Sequence, residues 1–124
     1  MNEIETEHAP ASIGPFSQAI VDDGRIFVSG QGPVDPETGE IVSTDIREQT
    51  HRTLKNVEAI LEAAGSSLEN TVKATVFVTD IDDYDAINEV YQEYFSDPYP
   101  ARSAVQVVEL PIDIGVEIEV IATE

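Results

Sequence analysis

Arg102 opens an apolar strand just after Pro98 and Pro100, in a chain with only four arginines and two lysines. A guanidinium grips a carboxylate through two parallel N–H bonds, so an arginine at a strand mouth is suited to clamp a small carboxylic acid. From residue type alone, an ordinary surface arginine is the more usual reading. Glu117 alternates with Val116, Ile118 and Val120. As chemistry, it is a base able to position and activate a water. As structure, it is the outward carboxylate of a two-faced strand, like Glu119. The residue types alone leave both readings open for both residues.

The remaining constellations favour plainer readings. Ser29-Gly30-Gln31-Gly32-Pro33 contains a GxG after a strand, but lacks the third glycine and the helix of a dinucleotide site, so it reads as a tight turn. Ser29 has no evident base. His51 lies among polar neighbours in a helical stretch and is expected at the surface, and no GxSxG elbow is present. Asp80, Asp82, Asp83 and Asp85 do not have the spacing of a calcium loop and read better as helix capping and solvated acidity. With no cysteine and two histidines, His8 and His51, neither disulfides nor a multi-histidine metal centre is expected.

Composition narrows the partners. Twenty-five acids against six bases give a formal net charge of −19. Nucleic acid and anionic membranes both select for basic residues, so neither is an expected partner. No apolar run approaches the ~20 residues of a membrane span. The N-terminus is acidic and has no signal-peptide pattern, which points to the cytoplasm. The acids are dispersed and lysine is nearly absent, which suits an interior of molar salt, where screening reduces self-repulsion. An apolar fraction of 41% with clear periodicity argues for a folded domain over a disordered chain, and a chain of 124 residues for a single one, residues 1–124.

The elements that must position Arg102 and Glu117 follow from periodicity. Residues 17–31 read as two strands around Asp22-Asp23-Gly24, and Glu40–Ser43 as a short third strand. A helix is expected over Asp45–Ala64, with Thr44 as N-cap, Gly65 just past its end, and an apolar stripe of Ile46, Leu54, Val57, Ile60, Leu61 and Ala64. A strand follows in which Val72, Ala74, Val76 and Val78 share one face. A second helix over Asp82–Phe95 carries Tyr84, Ile87, Tyr91 and Phe95 inward. The last two strands span about Ala101–Leu110 and Val116–Ala122. The order β-β-β-α-β-α-β-β implies an α+β fold with both helices on one face of a mixed sheet. Val72, Val76, Val105, Val107, Ile118 and Val120 are expected on the other face, which calls for self-association.

The whole chain resembles the Rid family, also called YjgF-like. Residues 9–19 (APASIGPFSQA) are similar to its opening motif, and 28–41 (VSGQGPVDPETGEI) to its second. The most specific likeness is 100–120 (PARSAVQVVELPIDIGVEIEV), which resembles its C-terminal signature. The resemblance implies a chorismate-mutase-like fold, a barrel-like homotrimer, and sites in the clefts between subunits. It implies hydrolysis of 2-imino and 2-enamino acids, such as 2-aminoacrylate and 2-iminobutanoate, to 2-oxo acids and ammonia, with no metal or cofactor. Arg102 would clamp the substrate carboxylate and Glu117 would activate the water. Ser29, Gly30, Asn88 and the backbone around Ala104 would line the pocket.

Two positions depart from the family pattern. Phe16 stands where a tyrosine is usual, and Ala104 where cysteine is common. The first removes a hydroxyl from the site, so a non-catalytic, 2-oxo-acid-binding member of the family is the alternative. The second excludes thiol chemistry there. Chaperone and ribonuclease activities known in the wider family sit poorly with the charge and the absence of paired histidines. Chorismate mutase chemistry would need more cations than the chain supplies.

Overall fold

Asp23 and Gly24 both adopt positive φ, 50° and 77°, and join two antiparallel strands in which Asp22 faces Arg25. This two-residue turn matches the natural twist of a hairpin. In the computed structural model, which covers residues 1–124, these strands are β2 (Ala19–Asp22) and β3 (Arg25–Gln31). The other strands are β1 (Asn2–Ile4), β4 (Thr71–Val78), β5 (Ala101–Gln106) and β6 (Val116–Thr123). They form one six-stranded sheet in the order β1-β2-β3-β6-β4-β5, in which only β4 and β5 are parallel. The fold is α+β, with helices α1 (Ile46–Ala63) and α2 (Tyr84–Tyr94).

The α1 stripe behaves as its period requires. Leu54, Val57, Ile60 and Leu61 are fully buried, with Ile87, Val90 and Tyr91 of α2 and Val28, Ala74, Val76, Ile118 and Val120 of the sheet. Full burial of such side chains contributes roughly 1.5–3 kcal/mol each. Gly65, at φ 79°, ends the helix. Its N-cap is Asp45, whose carboxylate accepts from the Glu48 amide at 3.0 Å, and not Thr44. A carboxylate caps well because it also meets the positive end of the helix dipole.

Four further expectations are corrected. Glu40–Ser43 forms only an isolated bridge, Val34 to Ile41. The additional strand is β1, an edge segment whose residues are mostly exposed and so show no apolar alternation. β5 stops at Gln106, and Val108 is 97% exposed. Val72 sits where the β4–β6 register shifts between Thr71 and Lys73 and does not share the face of buried Ala74, Val76 and Val78. Finally, Val76, Ile118 and Val120 lie beneath the helices. The open face keeps Val105, as expected, and adds Phe27, Phe77 and Ile121, interleaved with Lys73, Thr75, Glu117 and Glu119. Phe27 is 45% and Val105 43% exposed.

Buried polar residues of α1 fasten the loops at the ends of β3 and β6. Asn56 donates to the carbonyls of Gly32 (3.0 Å) and Val34 (2.9 Å), just past β3. Gln49 accepts from the Gly115 amide at 2.8 Å, immediately before β6, and donates to Ser43. These bonds satisfy groups that burial would otherwise leave unpaired, and they hold in register the two strand ends that carry Gly30 and Glu117.

Candidate functional site

Arg102 leaves edge strand β5 on the helix side. It faces Ala74 across the parallel pair, as Ala104 faces Val76, and both β4 residues are buried under the helices. Its guanidinium lies 4.7 Å from the Tyr91 ring centroid and 5.6 Å from that of Tyr84, and its Nη2 donates to the Tyr84 hydroxyl at 2.9 Å. No carboxylate pairs with it; the ion pairs of the molecule involve the N-terminus, Arg47 and His51. Asn88, one turn beyond Tyr84, holds a buried Oδ1 with no hydrogen-bond partner, and the buried Tyr91 hydroxyl also has none. Burial raises the Tyr91 phenol above its ordinary range, partly offset by Arg102. Asn88, Tyr91, Gln92, Tyr99, Pro100 and Arg102 line a cleft of about 300 Å³. A cation with free donors beside an unsatisfied amide oxygen can bind a small anion that also carries a donor. Ala104 adjoins this group, partly buried against the core.

Glu117 points to the open face, opposite Phe77 on β4. Desolvation raises its carboxyl above the ordinary range, and the like charge of Glu119 raises it further. Such a group holds a proton more readily than a surface carboxylate does, as a proton shuttle requires. Gly30 gives it room: a Cβ on Gly30 would sit 2.4 Å from Glu117 Oε2 and 2.8 Å from its Cδ. The glycine is required here by close approach. Ser29, beside it, donates its hydroxyl to the Ser17 carbonyl at 2.6 Å. Its proton is thereby committed, which leaves the oxygen as an acceptor.

The structure therefore divides the expected site. Asn88, Arg102 and Ala104 meet on the helix side of the β5 edge, and Ser29, Gly30 and Glu117 on the open face. Phe16 stands apart, 52% exposed, at the rim of a cleft of about 600 Å³ bordered by Glu3, Glu5, Glu7 and Gln18. His51 lies at the surface with its side chain partly exposed, as expected. Its Nδ1 lies 3.0 Å from the Tyr94 hydroxyl and its Nε2 3.7 Å from Glu93, so it bridges the two helices far from Ser29 in the chain's packing. Asp80 caps the turn before α2 by accepting from the Asp82 amide. Sequence reasoning assigned Tyr84 and Tyr91 to the core and missed them as walls around Arg102. Their spacing with Asn88, one and two turns apart, was visible; the crossover that brings Arg102 against that face was not.

Comparison with known proteins decides the family. A family model described as endoribonuclease L-PSP matches residues 6–124. The chain belongs to this family, the Rid/YjgF group. It is 56% identical over 119 residues to a RutC family protein of Pyrococcus abyssi, covering 96% of this chain and 94% of that protein. It is 45% identical over 121 residues to human 2-iminobutanoate/2-iminopropanoate deaminase, covering 98% of this chain and 88% of the human protein. Among solved structures, that of Escherichia coli TdcF with bound serine superposes with a TM-score of 0.94 at 45% identity, covering 100% of this chain and 99% of TdcF. No helix of this Rid/YjgF chain is long and apolar enough to cross a membrane.

Proposed function

We propose that the protein hydrolyses reactive 2-imino and 2-enamino acids, such as 2-iminopropanoate and 2-iminobutanoate, to 2-oxo acids and ammonia. The observation that carries this reading is Arg102: a guanidinium without a carboxylate partner, in a cleft that it lines together with Asn88, Tyr91 and Tyr99. Deaminase relatives and the serine held by TdcF support a small amino- or imino-acid ligand. In the reaction, Arg102 holds the substrate carboxylate in a two-point grip. Glu117 takes a proton from water as the oxygen attacks C2 of the protonated imine. The resulting carbinolamine receives that proton on nitrogen, and the C–N bond breaks as the regenerated Glu117 carboxylate takes the hydroxyl proton, leaving the ketone of the 2-oxo acid; ammonia departs and takes that proton as ammonium. No group beyond these side chains and water enters the balance.

Arg102 and Glu117 occupy opposite faces of one sheet, so a single copy does not present both to one small substrate. The working site is composite. One subunit supplies Arg102, Asn88 and the Ala104 backbone, and its neighbour supplies Glu117, Gly30, Ser29 and Phe16. The apolar open face, with Phe27, Phe77 and Val105, is the surface that brings copies together as a cyclic trimer. The cytoplasm is the compartment where such imines arise beside dehydratases. The charge of −19 weighs against RNA as substrate, despite the family's endoribonuclease description.

The test is imine trapping with complementation. A threonine or serine dehydratase releases the imine beside semicarbazide, and the protein should suppress semicarbazone formation. Arg102→Ala and Glu117→Ala should each abolish suppression. Co-refolding the two variants in equal amounts should restore about a quarter of wild-type activity, because each mixed cyclic trimer holds one intact site. No recovery in mixed trimers would reject the composite site. A folded wild type that binds 2-oxobutanoate without suppressing semicarbazone would favour a binding protein, the reading that the missing hydroxyl at Phe16 supports.

A further inference from the structure

We infer that Tyr84 is a positioning residue for Arg102 and selects which edge of the guanidinium receives the ligand; this rests on the reading of Arg102 as a carboxylate clamp. Tyr84 is the first residue of α2, and its place relative to β5 is fixed from both sides. The Ile81 amide, in the turn before α2, donates to Gln106 Oε1 at 2.8 Å, and Gln106 is the last residue of β5. The Asp80 side chain closes the same turn onto the Asp82 amide at 2.9 Å. The strand that carries Arg102 thus also anchors the helix start that carries Tyr84.

Guanidinium chemistry gives this placement a consequence. Nη2 bears two hydrogens. One points with those of Nη1 toward the end of the group, and the other points with Nε–H toward its side. A carboxylate bound in the two-point manner uses either the end pair or the side pair, and both pairs include Nη2. The Tyr84 oxygen accepts one Nη2 hydrogen at 2.9 Å and so occupies one fork while leaving the other open. The Tyr91 ring lies 4.7 Å from the guanidinium carbon, while Tyr84 meets the group through its hydroxyl. The remaining phenolic proton of Tyr84 is free for a ligand oxygen. One hydroxyl therefore holds the cation still, rejects one orientation of the ligand and favours the other.

Tyr84→Phe tests this, because it keeps the ring and removes the acceptor. Wild type, Tyr84→Phe, Arg102→Ala and the double variant are compared in the imine-trapping assay and by calorimetric titration with 2-oxobutanoate. In Tyr84→Phe, KM and the 2-oxobutanoate Kd should rise about ten-fold, the scale of one hydrogen bond to a charged group, while kcat stays within about two-fold. In the Arg102→Ala background the same change should have no further effect on Kd; a residue acting through general packing would add its effect in both backgrounds. Unchanged Kd in Tyr84→Phe, with tight Arg102-dependent binding in wild type, overturns the role of Tyr84 alone. A wild type that binds no 2-oxobutanoate overturns the clamp reading and this inference with it.

Discussion

Gly30→Ala separates stability from catalysis. The added Cβ would lie 2.4 Å from Glu117 Oε2, 2.8 Å from its Cδ and 3.1 Å from its Cγ, against an ordinary contact of at least 3.4 Å. The carboxylate must therefore give way by about 1 Å. It is the far end of a flexible side chain on a face with open space, so the fold should yield cheaply, by ~1 kcal/mol, at the low end of overpacking costs. The chemistry should not yield cheaply, because misplacing a reacting group by about 1 Å costs on the order of 10²-fold. The move adds a second signature. Desolvation is the main reason the Glu117 carboxyl is raised, and displacing the head group changes its burial, so the pH dependence of the residual activity should differ from that of wild type. Thermal melting together with the imine-trapping rate across pH measures all three effects. Turnover within about three-fold of wild type would mean that the Glu117 carboxylate does not act where the structure holds it.

Arg102→Lys should be nearly as damaging as Arg102→Ala in kcat/KM, because an ammonium cannot form the two-point grip; near-normal turnover of the lysine variant would refute that grip. Glu117 also carries a stability signature. Its folded-state carboxyl is raised, so its contribution is fully present below the ordinary carboxylate range and is lost as pH rises through the raised value. Glu117→Gln should therefore melt above wild type at neutral pH, with the advantage vanishing in acid, while its imine hydrolysis is lost; a variant less stable than wild type at pH ~7 would reverse the assigned sign. The acid surplus predicts a melting temperature that climbs between ~0.1 and ~3 M KCl, and a flat melting curve across that series would dismiss the high-salt reading.

What sequence made legible was whatever depended on local period. The α1 stripe, the Asp23-Gly24 turn and the glycine stop at Gly65 all follow from spacing, and the structure holds them. What it hid depended on register. Val72 looks like a facemate of Ala74, Val76 and Val78 until the irregular pairing beside Thr71 breaks the alternation. Val76, Ile118 and Val120 belong to the covered face, because parity relative to the helices is set by connections that no single strand displays. β1 carries almost no apolar pattern, since a marginal edge strand has little to bury. For the site, Arg102, Glu117 and Asn88 were marked by type and by family likeness. That Arg102 and Glu117 lie on opposite faces could be read only from the pairings Ala74–Arg102 and Phe77–Glu117, whose β4 members differ in parity.

The same register explains how so acidic a chain can keep a cation available. Where acids outnumber bases about four to one, an arginine next to a helix carboxylate is readily neutralised, as Arg47 is by Glu89. α2 prevents this for Arg102 by sorting its residues. Asp85, Glu89 and Glu93 lie exposed on its outer side, while Tyr84, Asn88 and Tyr91 form the face that meets β5. Aromatic rings hold a guanidinium by cation–π attraction without neutralising it. The charge at the cleft therefore stays available to an incoming carboxylate, and the repulsion of the surface acids is left to be screened by salt within about a Debye length. An acid placed on the inner side of α2, as in Asn88→Asp, would join Arg102 in an internal pair and close the cleft to anions, even though it alters the net charge by only one part in twenty.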